Sequence, residues 1–223
     1  MRVRWIAAAL TLALCFSLAA CGHPPVSEEQ EEDLPTLRIG SDDYEPYSYL
    51  DETGDFTGID VDLAKEACRR LGYRPEFHKV VWENKDQELA AGNIDCLWGS
   101  FTMTGREDLY QWAGPYLYSR QMVLVRADSD IATLADLAGK RVAVQATSKP
   151  ETVFLERPEP ERVPKVGEVY CFSSMEEVYS AIRKDFVDAI AGHEGAMRTF
   201  MEDSPGSWRI LDQSLMVSGL GVA

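Results

Sequence analysis

The chain has 223 residues, with 22 Lys and Arg against 37 Asp and Glu, and a formal charge of −15 at pH 7. That excess of acid argues against a nucleic-acid partner, whose phosphates need lysine and arginine. It also keeps the body away from anionic lipid head groups. Five cysteines and three histidines are scattered with no C-x-x-C pair, so there is no zinc or redox motif and no metal or cofactor is expected.

Residues 1–20 read as an export signal. Arg2 and Arg4 give a positive start, and the apolar run Ile6–Ala20 is too short and too rich in small residues for a comfortable membrane span. The run ends in Leu-Ala-Ala-Cys, which resembles a bacterial lipobox and would make Cys21 the lipidated first residue of the mature chain. The alternative is an ordinary signal cut near Ala20, with Cys21 incidental. Residues 21–35 are acidic and proline-containing, without apolar periodicity, and read as a solvated tether.

The fold is expected from Thr36. Residues 37–41 alternate as a strand, and residues 41–58 form a turn-rich loop carrying aromatics. A helix follows over 59–72, with Leu63, Ala64, Ala67, Cys68 and Leu71 on one face and Gly72 as its stop. Residues 74–80 read as a strand, 83–93 as a short helix closed by Gly92, and 94–99 as a buried strand. This β-α-β-α-β alternation predicts an α/β lobe with largely parallel strands.

The second half repeats the alternation. Residues 116–127 are extended, 133–140 hold a short helix, and 141–145 a strand. Thr147 and Ser148 precede Pro150 at a helix start. A strand at 168–172 leads into a helix with capping-box spacing between Ser173 and Glu176. A strand at 186–192 and a helix at 193–203 complete the set. Two α/β lobes joined by extended segments is the simplest architecture. The three cysteines of the body, Cys68, Cys96 and Cys171, read as small buried apolar residues, with a Cys68–Cys96 disulfide left open.

The chemistry concentrates in "DCLWGSFTMTGREDLY", residues 95–110. An apolar strand turns abruptly to Ser100, Thr102, Thr104, Gly105 and Arg106, where a helix is expected to begin. Helix N-terminal N–H groups attract anions, hydroxyls reach a carboxylate, and a guanidinium grips one with two prongs. The set reads as a carboxylate receptor at the carboxyl end of a strand, where open α/β sheets bind ligands. Arg106 could equally pair with Asp108 on the surface. Tyr44 and Trp82 lie on loops from the same sheet edge, either sandwiching a ligand or capping the core. Thr147 and Ser148 can close on the same anion from the second lobe. His193 and Glu194 could do acid–base work or serve in binding. No nucleophile elbow, metalloprotease motif or glycine-rich phosphate loop is present.

Six segments in order, "LRIGSDDYEPYSY", "GIDVDLAKEACRRLG", "NIDCLW", "FTMTGRE", "LAGKRVAVQ" and "FVDAIAGHEGA", resemble the extracellular solute-binding proteins of polar amino-acid ABC importers, family 3. The resemblance spans residues 37–223. It implies a two-lobed, periplasmic-binding-protein-like fold that closes on an amino acid. Lobe 1 would take residues 36–117, with 219–223 returning to it. Lobe 2, with hinge segments, would take 118–218. Tyr44 and Trp82 would stack on the ligand, Ser100, Thr102 and Arg106 would hold its carboxylate, and Thr147 and Ser148 would start the second-lobe helix. The protein would be a non-enzymatic monomer, tethered by lipid to the outer face of the membrane and docking on an ABC permease.

The pattern is broken in three places. The spacing Thr-x-Thr-x-x-Arg is shortened by one residue in "TMTGR", which Gly105 can absorb in a tighter turn. His193 stands where the family carries an aspartate for the ligand ammonium, so Glu194, Asp42 or Asp43 must supply the counter-charge, with Glu194 preferred. The sequence stops at Ala223, where the family continues into helices, so the first lobe is expected to lack its C-terminal helices. Two rival readings share the fold: a dehydratase-like enzyme of prephenate-like acids, and a sensor presenting its ligand to a membrane receptor.

Overall fold

The computed structural model describes residues 33–223. The signal, Cys21 and most of the tether lie outside the described residues. Two sheets organise the rest. The first has the order β4-β1-β5 and is built from Thr36–Ser41 (β1), Arg74–Lys79 (β4) and Cys96–Leu97 (β5), all parallel. The aromatic loop after β1 contains a small hairpin, Tyr49–Leu50 (β2) with Phe56–Thr57 (β3).

Helix Ile59–Leu71 (α1) links β3 to β4. Asp60 and Asp62 in its first turn and Arg69 and Arg70 in its last complement the helix dipole. Gly72 ends it in the left-handed conformation, at φ 75°. The buried face is Asp60, Val61, Ala64 and Cys68, rather than the expected stripe. Leu63 and Leu71 are exposed, because the helix is rotated to bring Asp60 inward beneath Ser100. A 3-10 turn at Trp82–Asn84 runs into the short helix Lys85–Ala90 (α2).

The second sheet has the order β10-β6-β9-β7-β8 and is mixed. Its strands are Ala113–Arg126 (β6), Arg141–Gln145 (β7), Glu168–Phe172 (β8), Ala189–His193 (β9), Trp208–Ile210 (β10) and Met216–Val222 (β11). Strands β7, β8 and β9 are parallel, whereas β6 runs antiparallel to β9. Helices Lys149–Glu156 (α3), Met175–Arg183 (α4) and Glu194–Glu202 (α5) cover the sheet. One core packs Val178, Ile182, Met197 and Phe200 on Leu124 and Ile190, and the other packs Leu134, Leu137 and Phe154 on Val142 and Val144.

Strand β6 is the long crossing segment. Its first half pairs with β11, and from Gln121 onward it pairs with β9 and then β10. The end of β11 reaches the first sheet, where Ala223 exchanges backbone hydrogen bonds with Leu97 at 2.8 and 3.1 Å. The result is a two-lobed α/β fold with two extended strands running between the sheets.

Four local expectations are corrected. No helix begins after β5: residues 102–110 form turns, with Thr102 bridged to Leu220. Gly105, at φ 70°, makes the tight turn. Ser174 caps α4 in a reciprocal capping box with Glu177, one residue later than expected; the same Ser-x-x-Glu spacing occurs in both registers. Ser148 alone caps α3, accepting the Glu151 N–H. Cys68 and Cys96 are buried and unbridged, whereas Cys171 is exposed.

Candidate functional site

Between the sheets lies a narrow cavity, about 30 Å³ for the centres of water molecules, which is room for one or two waters. Seven of the nine expected residues line it: Tyr44, Trp82, Ser100, Thr102, Arg106, Ser148 and His193. The first-lobe members come from the loops after β1, β4 and β5, the carboxyl ends of that parallel sheet. The others come from the start of α3 and the end of β9.

Arg106 is the centre of the arrangement. Its Nη1 donates to the Thr102 carbonyl at 3.1 Å and its Nη2 to the Thr147 carbonyl at 2.8 Å. The guanidinium carbon lies 5.3 Å from the centre of the Phe101 ring. Burial presses its pKa down, and among the described residues it forms no ion pair. The surface pairing with Asp108 is therefore not what the fold adopts. A guanidinium that is half-buried and desolvated without a carboxylate carries a cost that an arriving counter-charge relieves.

The walls carry backbone conformations that L-residues rarely adopt. Ser100 has φ 46° and Thr147 φ 57°. Each is held by a carboxylate: Asp60 accepts the Ser100 N–H, and Glu151 accepts the Thr147 N–H at 2.7 Å. Strain of this kind persists where surrounding structure over-determines it, and it clusters at ligand clamps. Asp60 is buried and its carboxyl is raised to about 6 by desolvation.

Thr147 borders the cavity without lining it. Its hydroxyl accepts from Lys85 Nζ at 2.9 Å, and its carbonyl holds Arg106. Lys149 Nζ reaches the Gly105 carbonyl at 3.0 Å. Loops of the two lobes are thus latched around the cavity in a closed arrangement.

The aromatic residues play different parts. Trp82 packs edge-on against Phe101, with centroids 5.1 Å apart. Tyr44 is largely buried, and its hydroxyl accepts the His193 N–H at 3.0 Å. This contact requires Gly192, since a Cβ there would lie 2.8 Å from the Tyr44 oxygen. Tyr44 therefore serves both the core and the cavity wall.

His193 is buried, with its ring edge-on to Tyr44 and Tyr47 at 5.8 and 5.6 Å. Burial lowers its pKa to about 4; the Ser100 carbonyl opposes that shift and the Arg106 charge adds to it. The imidazole is neutral at pH 7. Glu194 does not line the cavity. It is held by Arg120 at 2.7 and 2.8 Å and by Arg198 at 2.8 Å, because the chain turns into α5 there and carries the side chain to the outer face. The sequence preference for Glu194 as the ammonium contact has no geometric support.

Among the described residues Asp42 is the one carboxylate that lines the cavity. It accepts from Gln145 Nε2 at 2.7 Å across the lobes, and burial raises its carboxyl to about 6. Beyond that bridge the cleft widens into a larger cavity whose walls include Asp43, Glu45, Glu176 and Asp203. Asp42 had been one of three candidates on sequence. Gln121, Gln145 and Asp60 carried no sequence signal, since a glutamine in a strand and an aspartate in a helix's first turn are common in cores and caps.

Two α/β lobes, two crossing strands and a polar cavity between the lobes with an uncompensated guanidinium define a hinged ligand-binding protein. The sequence profile of the bacterial extracellular solute-binding proteins, family 3, matches residues 37–212. The chain belongs to that family, which consists of solute-binding proteins rather than enzymes.

Among relatives, the histidine-binding periplasmic protein of Salmonella typhimurium is 29% identical over 201 residues, covering 86% of this chain and 73% of its own. The L-cystine-binding protein TcyA of Bacillus subtilis is 34% identical over 146 residues, covering 59% of this chain; the match spans only about half of that relative, 54%. Among solved structures, an ancestral arginine-binding protein bound to arginine superposes with a TM-score of 0.76 at 27% identity, covering 84% of this chain and 83% of that one.

Proposed function

We propose that the protein is the substrate-binding component of an ABC importer for a polar amino acid. The observation that carries this reading is the half-buried, desolvated Arg106 guanidinium on the cavity wall, which meets no carboxylate among the described residues in a chain that has 37 acidic side chains. In such a protein an unpaired cation lining a cavity calls for an external anion. An α-carboxylate fits, gripped by the N–H groups of Arg106 that the Thr102 and Thr147 carbonyls leave over, with Ser100, Thr102 and Ser148 around it. Asp42 offers a counter-charge in the same cavity, where it meets the wider acidic cavity, and so favours a side chain carrying N–H donors.

An amino acid exceeds the space of the closed cavity. Its arrival requires the latches at Thr147 and the Asp42–Gln145 bridge to part by motion about β6 and β11, and closure then re-forms the Arg106–Thr147 contact around the ligand while Asp42 turns to it. The expected partner is a membrane permease that reads the closed form, engaged by a monomer. Cys21 would anchor the protein by lipid at the outer face, and Cys21→Ser should then release it from membranes; retention of that variant would refute the anchor.

Calorimetric titration with the twenty amino acids tests the main reading. Saturable binding of a polar amino acid is expected, and absence of binding by all of them would refute it. Turnover of a prephenate-like acid would revive an enzymatic role.

A further inference from the structure

Gln121 sits where β6 changes neighbours, opposite His193 on β9 and Met216 on β11. Its side chain is 2% exposed and lines the cavity. The amide nitrogen lies 3.0 Å from Nε2 and 3.2 Å from Nδ1 of His193, and 3.4 Å from the Ser218 hydroxyl. Among the described residues the amide oxygen, Oε1, has no hydrogen-bond partner. A buried carbonyl left unpaired is destabilising, so such an atom beside a ligand cavity needs an explanation. Strands β9 and β11 pair with the backbone of Gln121 on its two sides, and the residue is closed off from bulk water.

The groups near Gln121 indicate what would satisfy it. Oε1 accepts and does not donate. A neutral imidazole adds at most one more acceptor. Arg106, Ser100, His193 and Gln121 all line the one narrow cavity. With a carboxylate seated on Arg106, whatever is attached to its α-carbon can reach the His193–Gln121 side of that cavity. On that side stand neutral acceptors, while the carboxylate Asp42 lies at the bridge to the wider cavity.

We propose that Gln121 is a specificity-determining residue of the cleft, whose amide oxygen, positioned by His193, receives the α-ammonium of the ligand in place of a carboxylate. This inference rests on the amino-acid reading above. It assigns the two nitrogen-bearing ends of the ligand to different partners, the α-amine to Gln121 and the side chain to Asp42.

The test pairs each amino acid with its des-amino counterpart: L-arginine with 5-guanidinopentanoate, and L-histidine with imidazolepropionate. Affinities are measured by calorimetry on the mature protein, wild type and Gln121→Met, a variant of similar length that removes both ends of the amide. The readout is the preference for the amino over the des-amino ligand. Wild type should prefer the amine, and Gln121→Met should reduce that preference about tenfold, the equivalent of one hydrogen bond to a charged group. Gln121→Glu, which restores an acceptor and adds charge, should return or raise the preference. A preference unchanged in both variants would overturn the role of Gln121 alone. If wild type binds none of the twenty amino acids, the reading beneath it falls and this inference falls with it; if it binds another of them, that amino acid and its des-amino counterpart form the pair.

Discussion

Replacing Arg106 with alanine isolates the feature on which the account depends. In the closed form the side chain makes two hydrogen bonds, to the carbonyls of Thr102 and Thr147 at 3.1 and 2.8 Å, and stacks over Phe101. Only part of its five-donor fork is used, so a ligand carboxylate can take the remainder. Removing one partner of a buried, hydrogen-bonded charge pair costs roughly 2–5 kcal/mol, which converts to about 30- to 5,000-fold in affinity. Arg106→Lys should recover part of this, since it keeps the charge and loses the planar fork. The stability of the ligand-free protein should fall far less than ligand affinity does, because the variant also removes a desolvated cation lacking a counter-ion. Calorimetry for affinity and thermal melting without ligand separate the two effects. Ligand affinity within threefold of wild type in Arg106→Ala would refute the carboxylate grip.

Asp42 and His193 give pH signatures of opposite origin. With its carboxyl at about 6, Asp42 should hold a cationic side chain above that pH and lose it as pH falls through it; in Asp42→Asn the affinity for L-arginine should be lower and flat between pH 7.5 and 5. His193, lowered to about 4 from 6.5, contributes stability that is complete above 6.5 and lost as pH falls towards 4, a change of about 3 kcal/mol. The melting-temperature gap between wild type and His193→Gln should therefore narrow over that interval, and a constant gap would contradict the buried neutral imidazole. Glu194→Gln breaks pairs with two half-exposed arginines, so it should cost at most about 1 kcal/mol of stability and leave ligand affinity unchanged; a tenfold loss of affinity would return Glu194 to the site.

The sequence made the order of elements legible because each strand is an apolar run bounded by turn residues and each helix carries its own stop or cap, as Gly72 and Ser148 do. What it blurred were choices decided by tertiary contact. Residues 102–110 look like a helix start, yet they are held as turns by β11, which pairs with Thr102 and Met103 from more than a hundred residues away. The sequence favoured Glu194 over Asp42 as the counter-charge, but the fold placed Glu194 with Arg120 and Arg198 on the outer face and Asp42 opposite Gln145 on the cavity wall. Cys171 alternates outward on β8 despite its apolar neighbours. Arg106 was readable because hydroxyls surround it. Gln121 was not, since its significance lies in an unpaired oxygen that only packing creates.

The most direct measurement is a crystal structure of the mature protein with its tightest-binding amino acid. The cleft should be closed, with both carboxylate oxygens within about 3 Å of Arg106 nitrogens, between Tyr44 and Trp82, and the side chain directed to Asp42. A ligand bound elsewhere, or bound in the cleft with its carboxylate away from Arg106, would contradict this arrangement.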